Sequence, residues 1–267
     1  MRAFRIAYDG RDYHGYQRQP DVATVSDAIL AALRDLGVLD AAEDVPPGYA
    51  AAGRTDAGVS ASAQTVAFEA PDWLTPAALN AELPAAVRAW AHADVSDDFH
   101  ATHDATARDY TYYLHAPAAA DGRALAAVDR LSGRHDFHNL TPDETGTVRE
   151  LSADLDRDGD FLVLRVTAGG FPRQLVRRLV TVVDEVAHDV ADLALLDRIL
   201  ADDDLSGPDG VGPAPPEPLV LSGVTYPGVT FRADADAATS ARAVFADRHA
   251  SLAAQARVAA RLRDDVG

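Results

Sequence analysis

The chain of 267 residues contains no cysteine and no lysine, one methionine and two tryptophans. Without cysteine there are no disulfides, no zinc–thiolate centres and no thiolate nucleophile. Apolar residues never run for about 18 positions together, which excludes a membrane-spanning helix. The first residues enter an alternating strand pattern directly, with no signal-peptide pattern, so the cytoplasm is the expected compartment. Acidic residues outnumber basic ones 42 to 24, a net charge of −18, and every strong base is an arginine. Abundant Asp and Ala without Lys is the composition of an extreme halophile. A GC-rich genome explains Arg and Ala but not the acidic excess. Such a charge ordinarily argues against a polyanionic partner. In molar salt, however, the screening length is about 3 Å, so distant carboxylates barely repel a phosphate and close arginine contacts carry recognition.

What the chain does have is an apolar fraction of 48%, enough for one large or two ordinary domains with real cores. Periodicity predicts strands over 2–8, 64–68, 87–95, 109–115, 151–156, 161–167 and 219–226. Helices are expected over 25–36, 76–83, 118–131, 175–188 and 191–201, and again from 233 on, with Phe245, Leu252 and Ala259 on one face. Residues 207–218 read as an irregular Pro/Gly loop. Two runs of antiparallel strands covered by helices predict an α+β fold in two halves, 1–104 and 105–231, followed by a helical extension over 232–267.

The segment Ala51 to Ala61 sets Asp56 between Gly53 and Gly58, two positions from Arg54. Glycine lets the backbone approach a ligand or take a positive φ. A neighbouring guanidinium lets a carboxylate stay charged when partly desolvated. This is one way to build a single, rigidly placed catalytic carboxylate, but the same residues also make a surface Asx turn. Further segments tilt the balance: Tyr8-Asp9-Gly10 followed by Tyr13-His14-Gly15-Tyr16-Gln17-Arg18-Gln19, then Asp97-Asp98-Phe99-His100. Later come Arg108-Asp109-Tyr110-Thr111-Tyr112 and Phe171-Pro172-Arg173-Gln174-Leu175-Val176-Arg177-Arg178. In this order and spacing, from about Phe4 to Tyr226, the set resembles the TruA family of tRNA pseudouridine synthases.

The resemblance implies two similar ferredoxin-like or RRM-like halves whose antiparallel sheets join into one larger sheet, with helices on one side and the active cleft between the halves. It implies isomerisation of uridine to pseudouridine at positions 38–40 in the anticodon arm of tRNA. Glycosidic cleavage and re-attachment through C5 need no redox cofactor, metal or energy source, so none is expected. Asp56 would promote cleavage, either by attacking C1′ or by taking a 2′ proton. Tyr110 would stack on the base and remove the C5 proton, and Arg177 would pair with Asp56. The expected substrate contacts are Gln17, Arg18, Arg54, Arg108, Tyr110, Arg173, Arg178 and Leu219. A homodimer sharing one tRNA is also implied.

Ser60 stands where the family often has histidine, Pro218 where it has glycine, and Asp109 where a basic residue is common. The histidine pairs His100/His103 and His135/His138 lack a third ligand at useful spacing. Two rival readings remain: a catalytically silent tRNA-binding module on the same fold, and a nucleoside or glycoside hydrolase using Asp56. The second needs another carboxylate to activate water, for which Asp9 is the motif-borne candidate.

Overall fold

The computed structural model describes residues 1–205 and 210–266. The chain runs β1 (Arg2–Tyr8), α1 (Val25–Asp35), β2 (Ala50–Ala51), β3 (Ser60–Phe68), α2 (Pro76–Asn80) and β4 (Val87–Asp94). It continues with β5 (Ala107–His115), α3 (Asp121–Leu131), β6 (Gly133–Asp136), β7 (Val148–Asp158), β8 (Phe161–Ala168) and α4 (Leu175–Ala187). Then follow α5 (Leu193–Ile199), β9 (Leu219–Thr225), β10 (Arg232–Ala233) and α6 (Ala235–Asp265).

These strands form one sheet in the order β10-β4-β1-β3-β9-β5-β8-β7-β6, with β2 pairing β3 off the main path. Neighbours are antiparallel except at β3–β9, where Ser60 pairs with Val220 and Ala61 with Leu221 in parallel. That short parallel junction joins β10, β4, β1 and β3 on one side to β9, β5, β8, β7 and β6 on the other.

Alternation along the strands decides which face is buried. On β5, Tyr112 packs with Val166, Leu175 and Leu179 in one core cluster. The opposite face carries polar cross-strand pairs: Thr111 with Ser222, and Thr167 donating to Asp109 at 2.6 Å. Asp109, where a base was expected, is thus engaged within the sheet. A second cluster packs Ile29, Leu30 and Leu33 of α1 against Phe4, Ile6 and Phe68.

α4 buries Leu175, Val176, Leu179, Val180, Val182, Val183, Val186 and Ala187. Valine is a weak helix former because its χ1 is restricted. Full burial of one valine is worth about 2 kcal/mol, against a few tenths lost in propensity, so packing decides the conformation.

The expected elements are present, with shifts at their ends. Strand β3 begins at Ser60, four residues before the alternation becomes visible. The helix expected over 76–83 stops at Asn80, just before Leu83-Pro84. Edge strand β6 was not expected, since Gly-Arg-His-Asp has no β pattern and its ladder comes wholly from β7. Part of the Pro/Gly loop, residues 207–209, lies outside the described residues.

The C-terminal helix is preceded by β10, which pairs with β4. Asp234 caps α6 by accepting from Ala237 N at 3.0 Å. Only Ala237 and Ala241 of the helix are fully buried, and Ala259 of the expected face is exposed. No helix among the described residues is long and apolar enough to cross a membrane.

Candidate active site

Asp56 lies on the loop entering β3, and Arg177 in the first turn of α4. Although 121 residues apart, they meet: Arg177 Nη1 donates to Asp56 Oδ2 at 3.1 Å. Both are largely shielded, with side-chain exposures of 13% for Arg177 and 28% for Asp56. Arg177 is aimed by a second bond, from Nε to Ala214 O at 2.6 Å. The pair lines a cleft of about 80 Å³. The same cleft is lined by Arg54, Tyr110, Phe171, Arg173, Gln174 and Leu219.

The loop bearing Asp56 has no strand ladder, so buried polar side chains hold it instead. Gln64 is fully buried. It donates to Gly53 O at 2.8 Å and accepts from Gly53 N at 3.2 Å. Thr55 Oγ1 and the Tyr8 hydroxyl bond at 2.8 Å. Burial pushes the Tyr8 phenol up to about 12, the bonds to Thr55 and Gln64 offsetting part of the effect. The opening motif supplies the floor: Tyr16 N donates to Thr55 O at 3.0 Å and Gly58 N to Tyr13 O at 3.2 Å. Ser60 Oγ accepts from Gly10 N at 3.0 Å, which gives the residue replacing histidine a structural use.

Tyr110 follows a register shift between β5 and β9 and lines the cleft. Phe171 meets it edge-on, with centroids 5.2 Å apart and planes at 87°. Burial, then the proximity of Tyr8 and Asp56, raises the Tyr110 phenol well above its ordinary value. Tyr112, two residues on, is 2% exposed and donates to Pro215 O at 3.0 Å. One tyrosine of the pair therefore lines the cleft and the other is core.

The expected arginines divide. Arg54 is exposed at the cleft and Arg173 stands at its rim, 61% exposed and paired with Asp143 at 3.1 Å. Arg108 is not on the cleft wall: it is 8% exposed, and its guanidinium donates to Ala52 O, Gly169 O and Thr102 O at 2.8, 2.5 and 2.6 Å. A guanidinium bound to three backbone carbonyls is a staple between segments. Arg178 also turns away, to Val211 O and the Gln174 side chain. Burial first, then Arg177, lowers its pKa. Arg18 pairs with Asp27 at 3.0 Å, and Gln17 is exposed beside it; neither lines the cleft. Leu219 does, 4% exposed at the start of β9.

Sequence reasoning missed Phe171, Gln174 and Gln64. Phe171 opens a motif that was noted, but its contact with Tyr110 is tertiary. Gln174 takes φ +62°, a left-handed value rare outside glycine, at the N-cap of α4. Gln64 is a polar residue in a strand that is otherwise buried over 63–68, a departure from pattern that marks a structural network.

Among the described residues no group of three or more His, Asp or Glu is placed to hold a metal ion. His100 and His103 stack on each other at 4.1 Å between centroids.

A family model described as tRNA pseudouridine synthase matches residues 127–227, a stretch that includes Arg177. The tRNA pseudouridine synthase A of Haloarcula marismortui is 60% identical over 273 residues, 99% of each chain. That of Natronomonas pharaonis is 63% identical over 98% of each chain. That of Archaeoglobus fulgidus is 38% identical over 87% of this chain and 86% of its own. The fold and these matches define a pseudouridine synthase, an isomerase that converts uridine into its carbon-linked isomer. Within that class the chain belongs to the tRNA pseudouridine synthase A family. Its reaction is pseudouridine formation in tRNA, and its haloarchaeal relatives agree with the acidic, lysine-free composition.

Proposed function

We propose that Asp56 is the carboxylate that drives glycosidic cleavage, at uridines 38–40 of the tRNA anticodon arm. The observation that carries this reading is the Asp56–Arg177 pair, brought together at 3.1 Å inside an open cleft. A carboxylate fixed by one guanidinium keeps its other oxygen free to face a ribose, either at C1′ or at the 2′ position. Arg177 positions that carboxylate and compensates its charge as substrate displaces water.

Tyr110 and Phe171 receive the detached uracil. Tyr110, met edge-on by Phe171 at 5.2 Å, is assigned both the stacking on the base and the C5 proton. Leu219 supplies an apolar wall. Arg54 and Arg173 face the RNA at the rim, where Arg54 fills the space left by the extruded nucleotide or holds its phosphate. Arg108 and Arg178 drop out of this assignment, because their guanidiniums are bound to backbone carbonyls, while the exposed Gln17 and Arg18 remain contacts for the RNA outside the cleft. Residues 1–104 and 105–231 act as two arms meeting at the β3–β9 junction, with 232–267 as an extension. A homodimer in the cytoplasm, gripping one tRNA with both chains, completes the reading.

The test is release of tritium from C5-tritiated uridine in unmodified tRNA, in molar KCl, with wild type and Asp56→Asn. Release by wild type alone, with product mapped to 38–40, is the expected result. Turnover by Asp56→Asn would remove Asp56 from its role. Binding without release by either protein would favour a silent RNA-binding module.

A further inference from the structure

The C-terminal helix reaches back to residues 9–12, which adjoin the loop that carries Asp56. Arg248, midway along α6, donates through Nε to Asp9 Oδ2 at 2.9 Å, and its Nη2 lies 3.8 Å from Asp12 Oδ2. Among the described residues, Arg248 is the only side chain of α6 that bonds outside the helix. Asp9 also takes bonds of 2.8 and 2.5 Å from the Arg11 guanidinium, and its side chain is only 9% exposed.

Beyond Asp9 the chain is laid along the Asp56 loop. Gly10 N bonds Ser60 Oγ at 3.0 Å, and Gly10 packs so closely on Val59 that a Cβ there would overlap its carbonyl oxygen. Gly15 would place a Cβ 2.9 Å from Thr55 O. With Tyr13 O and Tyr16 N bonded to Gly58 and Thr55, residues 10–16 form a bed on which residues 55–60 lie. Asp9 fastens the start of that bed, while its far end is held by Val25 N on Gly15 O and Ser26 N on Tyr16 O. Arg11 belongs to the same short segment and moves with it. Arg248 belongs to an element anchored elsewhere, by β10 on β4 and by Asp234 N bonding Trp90 O at 3.0 Å.

We propose that Arg248 is a positioning residue for the isomerisation: by holding Asp9 it fixes the bed beneath residues 55–60, and with it the place of Asp56. This rests on the reading of Asp56 as the catalytic carboxylate. Arg248 touches neither substrate nor Asp56, so its effect falls on turnover and not on tRNA affinity. Misplacing a reacting group by about 1 Å costs up to about a hundredfold in rate.

The experiment uses the full chain in molar KCl with unmodified tRNA, measuring kcat and KM for Arg248→Ala, Arg248→Lys, Asp9→Asn and the double variant Asp9→Asn/Arg248→Ala. Arg248→Ala should lower kcat about tenfold with KM changed less than about twofold. Arg248→Lys should recover most of kcat, and the double variant should be no slower than the worse single one. Amide hydrogen exchange at residues 55–60 should quicken in Arg248→Ala. A lower Tm with unchanged kcat would reduce α6 to a stabilising element and overturn the proposal. A raised KM with unchanged kcat would overturn it in favour of direct RNA contact, and additive losses would uncouple Arg248 from Asp9. Asp56→Asn runs alongside: if that variant turns over, the catalytic reading of Asp56 has failed. The exchange data still decide whether Arg248 orders the loop.

Discussion

The two walls of the cleft are built on different principles. The Asp56 wall is irregular backbone, held by a fully buried glutamine, a buried tyrosine–threonine bond and glycines pressed against carbonyls. The Tyr110–Arg177 wall is regular, with Tyr110 in a strand laddered on both sides and Arg177 on a helix that buries eight residues. A ladder and an apolar face make the second wall rigid without special residues. The first wall has neither, so each of its backbone groups needs a named partner. Asp56 stands on a loop, and the surrounding network supplies the rigidity a strand would have given.

This contrast can be broken most severely at the Asp56–Arg177 bond, which links the walls as the Arg108–Ala52 bond also does. Arg177→Met leaves Asp56 half-buried without its cation, and removing one partner of such a pair costs about 2 kcal/mol in stability. Single-turnover rates should fall about a hundredfold with tRNA binding retained. A variant with near-normal rates would show that the walls are not coupled through this pair.

Gly10→Ala strikes the loop wall alone. Its Cβ would meet the Val59 carbonyl, so backbone must shift at a cost of about 1–3 kcal/mol. Turnover should drop by about tenfold or more. A similar change in the segment after β8, Gly170→Ala, meets nothing within 4 Å and serves as the control.

Arg54→Ala tests the rim. It should lower turnover several-fold more on folded tRNA than on an unstructured RNA, because extrusion is needed only in the former. Equal losses would show that Arg54 has no part in extrusion.

The smallest effect concerns pH. Burial pushes the Tyr8, Tyr112 and Tyr226 phenols to about 12. Their folded values lie above the unfolded value of about 10. The associated stability is therefore complete below about pH 10 and lost as pH rises from there toward 12. Urea midpoints between pH 9 and 11.5 should fall over that window, less so for Tyr8→Phe.

Asp56, Tyr110 and Arg177 were legible because each lies in a motif whose residue types and spacing resemble a known family. Arg54, Arg173 and Leu219 were legible as neighbours of those motifs, and all three line the cleft. Arg108 was legible as a motif residue but not as a staple. An arginine in a strand carries no mark of whether water, phosphate or three carbonyls will meet it. The same holds for Asp109, whose partner Thr167 is set by strand register.

By itself the sequence determined the strand and helix periods, the cysteine-free chemistry, the salt-adapted charge and the motifs. These follow from local stereochemistry and composition, which need no distant partner. Tertiary structure alone decided that β3 and β9 run parallel, that Arg108 staples Ala52 to Gly169, that Phe171 faces Tyr110 and that Arg248 reaches Asp9. Each of these is a contact between segments with independent local preferences. It becomes favourable only when burial of both cores brings those segments to the same place.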